Sequence, residues 1–326
     1  MRRLEEFLKP TQKSLFKRLR VIFKREQGIV SNDMFILVEG EVPIMLLAHL
    51  DTVHRKPVKE ICTSEDGNIL MSPQGIGGDD QCGVYAIVTA YEKSLKKPWL
   101  LFTCDEEIGG VGASNFCEAY DEGKLPEKLS ELKMLVEIDR KGSDDAVYYD
   151  CDNSDFEAYI TSKGFQTAVG SFSDISLVAP KLGVAAVNLS SAYYNPHQLH
   201  EYINRKELEN VTQKVIEIVA DVAQKDFPKY KYVERIYKPL YRTWRYSTDN
   251  LLDDIAADFD SIAEEFDDNL KKSLMALSHM QKSMYLELLD FYTAEELESL
   301  RKEHGDSIIQ QIYNDEVGMF YGDNLK

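Results

Sequence analysis

Long apolar runs are missing from this sequence, and none approaches the roughly 18 residues that a membrane-spanning helix needs. Cysteine is sparse: five occur (Cys62, Cys82, Cys104, Cys117 and Cys151), an odd number with no Cys-x-x-Cys pair. That argues against a disulfide framework and against a thiolate zinc site, and makes reduced cytosolic thiols the expectation. Positive charge is also in deficit. Lys and Arg number 38 against 56 Asp and Glu, giving a net charge of −18 and a pI near 4.8. This balance disfavours nucleic acid or an anionic membrane surface as a partner. The opening residues Met1-Arg2-Arg3-Leu4-Glu5-Glu6 lack the uninterrupted apolar stretch of a signal peptide. A soluble, cytoplasmic protein is the expectation. No internal repeat or low-complexity tract breaks the chain.

What is present is enough apolar residue for a sizeable core, 44% of 326 residues. Helical periodicity runs through 4–24, interrupted near Pro10, and again through 81–96, 111–120, 154–163, 173–182 and 205–224. Between these lie short apolar segments that read as buried strands: 34–38, 44–49, 69–72, 99–103, 134–138, 146–149 and 184–189. The first two are joined by a turn at Glu39-Gly40-Glu41. Such alternation predicts an α/β fold, a mixed central sheet sandwiched by helices. The character changes after about residue 231. An aromatic, basic stretch over 237–244 reads as a linker, and 251–266, 270–292 and 294–304 all read as helices. The expected organisation is a catalytic domain over 1–235 and an acidic, all-helical C-terminal region over 236–326. From Asp249 onward 19 acidic residues face 6 basic ones, so that stretch carries −13 of the −18. A solvated helix face is the plain reading of that charge.

Five short segments carry imidazoles or carboxylates, and four of them follow or end an apolar strand. They are His49-Leu50-Asp51, Gly77-Gly78-Asp79-Asp80, Asp105-Glu106-Glu107, Ile138-Asp139 and Asn195-Pro196-His197. Carboxylates at the end of a buried strand must be paired or ligated, so together the five read as a two-metal hydrolytic site. In an extended segment His49 and Asp51 point the same way, which lets Asp51 fix the tautomer of His49. The glycines before Asp79 let the backbone bend so that a short carboxylate reaches between two cations; an ordinary helix N-cap, from Asp80, is the competing reading. Three consecutive acids at 105–107 repel one another unless cations or protons intervene. Adjacent glutamates can divide the work, Glu106 as general base and Glu107 as ligand. His54, His200, His279 and His304 read as structural or surface residues, with His200 the first exception to consider.

These residues, in this order, resemble the co-catalytic di-zinc exopeptidases, the superfamily of tripeptide aminopeptidase, the secreted bacterial leucyl aminopeptidases and the related carboxypeptidases. The resemblance covers about 34–225. It rests on Ala48-His49-Leu50-Asp51, Gly77-Gly78-Asp79-Asp80-Gln81-Cys82-Gly83, Glu106-Glu107-Ile108-Gly109, Ile138-Asp139, and His197 followed by Glu201-Tyr202-Ile203. It implies two Zn2+ ions, with His49 on one, His197 on the other and Asp79 bridging. Glu107 and Asp139 complete the coordination, Asp51 supports His49, and Glu106 is the general base for a bridging hydroxide. An aspartate at the position of Asp139 is similar to the aminopeptidases, whereas the carboxypeptidases and deacylases carry glutamate there. The implied substrate is a peptide or small amide with a free amino end.

The sequence departs from the family in several places. Only 58 positions separate Asp139 from His197, too few for the lid domain of many relatives. Gln81 stands where many carry lysine or aspartate. Arg140 and Lys141 either bind an acidic substrate group or face solvent, and solvent is the preferred reading. Tyr193, Tyr194, Ser173 and Asp174 are unranked pocket candidates. The helical tail has no counterpart among the relatives and is a candidate for a protein partner or self-association. Two other functions stay open: an amidase or deacylase on a non-peptide substrate, and a binding protein with a structural or vestigial metal site.

Overall fold

The computed structural model describes residues 2–24, 29–54, 56–170 and 172–235, and, beyond them, 285, 288, 294–305, 308, 309 and 312. The chain divides into two compact units, Met1–Arg235 and Ile236–Lys326.

The first unit is built on a mixed eight-stranded sheet. Its order is β1 (Ile29–Ser31), β2 (Phe35–Val38), β6 (Pro98–Thr103), β3 (Val42–His49), β7 (Met134–Arg140), β10 (Ala186–Ser190), β8 (Asp145–Val147) and β9 (Gln166–Thr167). Strands β6, β3, β7 and β10 run parallel to one another. Although β2 and β3 are separated by only three residues, they do not form a hairpin. β6 lies between them, antiparallel to β2 and parallel to β3. The predicted turn at Glu39-Gly40-Glu41 therefore carries the chain past a strand that arrives later. A small antiparallel sheet, β11 (Tyr193–Tyr194), β12 (Tyr202–Asn204), β5 (Ile69–Met71) and β4 (Cys62–Thr63), adjoins the first.

Alternation along the strands assigns each side chain to a face. Ile44, Leu46 and Ala48 of β3, Leu100 and Phe102 of β6, and Val136 and Ile138 of β7 enter one core. Helices α1 (Glu5–Leu8), α2 (Gln12–Phe23), α3 (Gly78–Lys93), α5 (Ser154–Ser162) and α7 (Arg205–Val222) cover it. Met45, Leu47, Trp99, Leu101 and Leu135 enter the other, under α4 (Val111–Asp121) and α6 (Ile175–Leu182). Pro10 separates α1 from α2, as its ring demands. α7 is long because Leu208, Val211, Val215, Ile218, Val219 and Val222 repeat at helical spacing and all are buried. Asn204 caps it by accepting the N–H of Glu207.

This topology creates a switch point. From β3 the chain crosses through α3 on one face to β6, then through α4 on the other face to β7, which lies on the far side of β3. The loops leaving the carboxyl ends of β3 and β6 diverge, and a crevice opens between them.

In the second unit α8 (Ala294–His304) buries Leu297. Arg301 Nη1 donates to both carboxylate oxygens of Glu298, each at 3.1 Å. The helix coincides with the span predicted for it. The predicted linker at 237–244 and the helices at 251–266 and 270–292 fall almost wholly outside the described residues. Among the described residues no helix is long and apolar enough to cross a membrane.

Leu46 sits wholly buried on β3, between β6 and β7. Leu46→Ala is expected to cost about 2–5 kcal/mol of unfolding free energy, measured as a lowered denaturant midpoint at unchanged m-value.

Candidate metal centre

On the sheet face that carries Met45, Leu47, Leu101 and Leu135, the residues at the carboxyl ends of the strands turn polar: His49 on β3, Thr103 on β6, Glu137 and Asp139 on β7. Strand alternation thus delivers one histidine and two acids to the crevice from registers that are apolar elsewhere. The loops after these strands bring the rest.

His49 is buried, its side chain 1% exposed. Its Nδ1 lies 3.2 Å from Asp51 Oδ1, within reach for Asp51 to orient the ring. Asp51 also accepts the backbone N–H of Glu106 at 3.0 Å and of Glu107 at 3.1 Å, tying the acidic loop to the histidine segment. On the other side of the ring, Nε2 lies 3.2 Å from Asp79 Oδ1, 3.6 Å from Asp139 Oδ1 and 4.0 Å from Glu106 Oε2. The second oxygen of Asp79 lies 3.2 Å from His197 Nε2, which is itself 3.2 Å from Glu107 Oε2. Asp79 therefore stands between two imidazoles, with Asp139 beside one and Glu107 beside the other. All seven predicted site residues converge here, although they span 149 positions of chain.

His197 differs from His49 in being half exposed, which makes its side the open side of the crevice. It holds a left-handed backbone (φ 64°), as do Asn195 (φ 56°) and Ala192 (φ 63°) just before it. Three non-glycine residues with positive φ in six positions are strained, and strain of this kind gathers where a side chain must be aimed.

Asp80 proves to be the helix cap. Asp79 and Asp80 are non-helical within α3, and Asp80 Oδ1 accepts the N–H of Gly83 at 3.0 Å. Its Oδ2 accepts the N–H of His49 at 3.2 Å. Asp80 comes within 4.8 Å of His49 and Asp139 as a metal ligand would, but both its oxygens are committed to these backbone donors. Gly83 permits this approach: a Cβ there would meet Ile138 O at 2.0 Å and Asp80 Oδ1 at 2.3 Å. Gln81 donates to the carbonyl of Leu50 at 2.9 Å and so serves the same frame.

Below the ligands lies a buried polar layer. Ser173 donates to Glu137 at 2.5 Å, and Asn188 donates to Ser173 and to Tyr149 OH and receives the N–H of Asp139. Asp174 accepts from Thr103. Ser173 and Asp174 are thus buried supports. Tyr193 OH reaches 3.4 Å from Asp139 Oδ1, whereas Tyr194 donates to Glu207 and stacks on Tyr202. Arg140 does not stand free in solvent: Nη2 donates to Val169 O at 2.7 Å. His200 is exposed.

The exception among the remaining histidines is His54. Its Nε2 donates to Glu201 Oε2 at 2.8 Å, and Glu201, wholly buried, also accepts the N–H groups of Gly77 and Asp79, each at 3.0 Å. Gln12, at the start of α2, exchanges two hydrogen bonds with Asp105. None of these three roles is visible in sequence. The one local signal is that Glu201 follows His197 by four positions.

The donor set fits divalent metal. Imidazole nitrogens and carboxylate oxygens are what Zn2+ takes. The groups His49–Asp79–Glu107 and His49–Asp80–Asp139 each bring their ligand atoms within 4.8 Å of one another. Glu107 Oε1 is buried without a hydrogen-bond partner.

Several solved structures resemble this architecture. A tripeptidase from Staphylococcus aureus subsp. aureus Mu50 aligns over 68% of this chain and 96% of its own, at 14% identity and a TM-score of 0.52. The aminopeptidase PepT from Bacillus cereus ATCC 10987 aligns over 68% and 97%, at 15% identity and a TM-score of 0.52. A TET aminopeptidase from the archaeon Thaumarchaeota archaeon SCGC AB-539-E09 aligns over 66% and 96%, at 11% identity and a TM-score of 0.51. The chain has the fold of these peptidases. No family model matches it, and no curated protein is similar to it in sequence.

Packing so many acids around two imidazoles perturbs them all. Burial, reinforced by Asp139, Asp174 and Glu107 and only partly opposed by His49, pushes the Glu106 carboxyl up to about 9. Burial and the nearby Asp79 push Asp139 up to about 7. Hydrogen bonds to Asp79 and Glu107 raise His197 to about 10. For Asp79, burial is outweighed by the two imidazoles, which hold its carboxyl well below the usual range. In metal-free protein, Glu106, Asp139 and His197 all bind protons more tightly folded than unfolded. Their stabilising contribution is complete below the unfolded pKa values and is lost as pH rises through the folded ones.

The melting temperature of chelator-treated protein is therefore expected to fall between pH 6 and pH 9. Zn2+ should raise it more at pH 8 than at pH 6, because metal and protons compete for the same atoms. Calorimetry at fixed ionic strength reads both. A pH-independent melting temperature in chelator contradicts this electrostatic picture.

Proposed function

We propose that the protein is a two-zinc aminopeptidase that removes residues from the free amino end of peptides. The observation that carries this reading is the Asp79 carboxylate, one oxygen 3.2 Å from His49 Nε2 and the other 3.2 Å from His197 Nε2. A bridging carboxylate between two imidazoles is the donor arrangement of a co-catalytic site. The shared fold supports the reading, and so does the aspartate at position 139.

His49, Asp79 and Asp139 would hold one ion, and His197, Asp79 and Glu107 the other. Ions held by these residues would supply polarisation of a scissile carbonyl and a lowered pKa for water. The rest falls to the chain. Asp51 fixes the His49 tautomer and, through two N–H groups, the acidic loop. Glu106 lies beside the cluster, its Oε2 4.0 Å from His49 Nε2 and its side chain largely buried, a place from which it would take a proton from the attacking water and deliver it to the leaving amine. Tyr193 and Asn188 hold Asp139 in place.

Incubation of zinc-loaded protein with a mixed peptide pool, half of it N-acetylated, tests the proposal by mass spectrometry. Stepwise shortening of free-amine peptides alone is expected. Release of acetyl groups or cleavage of blocked peptides would favour the amidase or deacylase reading. Glu106→Gln should retain metal and lose about 10²-fold or more in kcat; a variant as active as the parent removes Glu106 from the mechanism.

A further inference from the structure

Two carboxylates in this site have the same bonding pattern. Asp51 meets one imidazole, that of His49, and two backbone N–H groups, those of Glu106 and Glu107. Glu201 also meets one imidazole, that of His54, and two backbone N–H groups, those of Gly77 and Asp79. Asp51 thereby joins the His49 segment to the Glu106-Glu107 loop. We infer that Glu201 is its counterpart, a positioning residue that joins the Gly77–Asp79 turn and the His197 loop to the segment that carries His49 and His54, and so sets the affinity for both metal ions.

Three segments meet at Glu201. Through the N–H of Asp79 it fixes the residue that stands between the imidazoles. Through the N–H of Gly77 it holds the turn before Asp79, where Gly77 has a left-handed backbone (φ 64°). It is four residues from His197, so it anchors the strained loop that aims that imidazole. His54 brings in the first segment, three positions beyond Asp51. The contact leaves no slack. A Cβ on Gly75 would meet the His54 ring at 2.2 Å, and one on Gly78 would lie 3.1 Å from Glu201 Oε1. The carboxylate is wholly buried, and all three of its bonds go to groups within a few residues of a predicted ligand. A core ion pair that merely stabilised the fold would have no reason to concentrate its bonds there.

Chemistry makes the glutamate specific. Glutamine keeps the shape but offers one acceptor oxygen and turns an NH2 group toward a buried N–H. One of the two backbone donors then loses its partner, and the Gly77–Asp79 turn shifts to find another. Outer partners of metal ligands typically change metal affinity by about 10–100-fold.

This inference rests on the metal reading proposed above. The test is a titration of apo protein with Zn2+ against a chromophoric chelator, with stoichiometry and affinity read for the parent, Glu201→Gln and His54→Phe. The second variant removes one donor, keeps a ring against Gly75 and leaves the two backbone bonds in place, so it reports even if Glu201→Gln folds poorly. The parent is expected to bind two ions. Glu201→Gln should bind at least tenfold more weakly and His54→Phe to a smaller extent. Kinetics on a free-amine peptide should show the loss in kcat rather than in KM. Two ions in the parent, with unchanged affinity and kcat in both variants, would overturn the role of Glu201 alone. A parent that binds no divalent metal overturns the metal reading and this inference together.

Discussion

The placement of Asp79 is the constraint around which the first unit is arranged. A carboxylate with each oxygen 3.2 Å from a different imidazole needs those imidazoles on opposite sides of it, and they come from positions 49 and 197. One rides at the end of the central strand β3. The other sits on a loop between β11 and β12 whose backbone is held in left-handed conformations. Asp79 reaches its place because glycines precede it and because Asp80, immediately after it, starts α3 by capping Gly83. Two neighbouring acids thus divide between site and scaffold.

The electrostatic cost of such a cluster is met by layers of support. Ionised acids buried side by side repel, and their pKa values spread apart: Asp79 falls, while Glu106, Asp139 and Asp174 rise. The backbone supplies compensating donors through Asp51, Asp80 and Glu201, each of which accepts two N–H groups. Beneath them Ser173, Asn188 and Tyr149 bind one another and fix Asp139. Such a network specifies one arrangement of ligands because few others satisfy every buried polar group.

The open side of the crevice follows from the same asymmetry. His49 is sealed by the sheet and His197 is half exposed, so the cluster is reached from the His197 side. Exposed apolar side chains stand on the loops that carry the ligands, among them Ile108 next to Glu107 and Leu199 two residues after His197.

Much of this was legible in the sequence, for local reasons. Strands β3, β6 and β7 are apolar on both faces over most of their length and carry His49, Thr103 and Asp139 at or next to their carboxyl ends, so composition alone marks them as central and their ends as special. Helical spacing gives α2 and α7 to within a few residues. The seven predicted ligands and partners are chemically conspicuous, since acids and histidines at the ends of buried strands have few other uses. What sequence could not reveal depends on contacts between distant residues. Nothing in positions 35–49 says that β6 will part β2 from β3, because that pairing is made with residues more than fifty positions later in the chain. Strands of two or three residues, such as β4, β9 and β11, carry too little pattern to read. The sequence marks Glu201 as part of the motif after His197, but not what it binds: the fold brings His54, 147 positions earlier, and the N–H groups of Gly77 and Asp79 against it. The sequence determined which groups could bind metal; only the tertiary structure decided which buried carboxylates hold those groups in place, because a hydrogen bond across the sheet has no signature in either partner's neighbourhood.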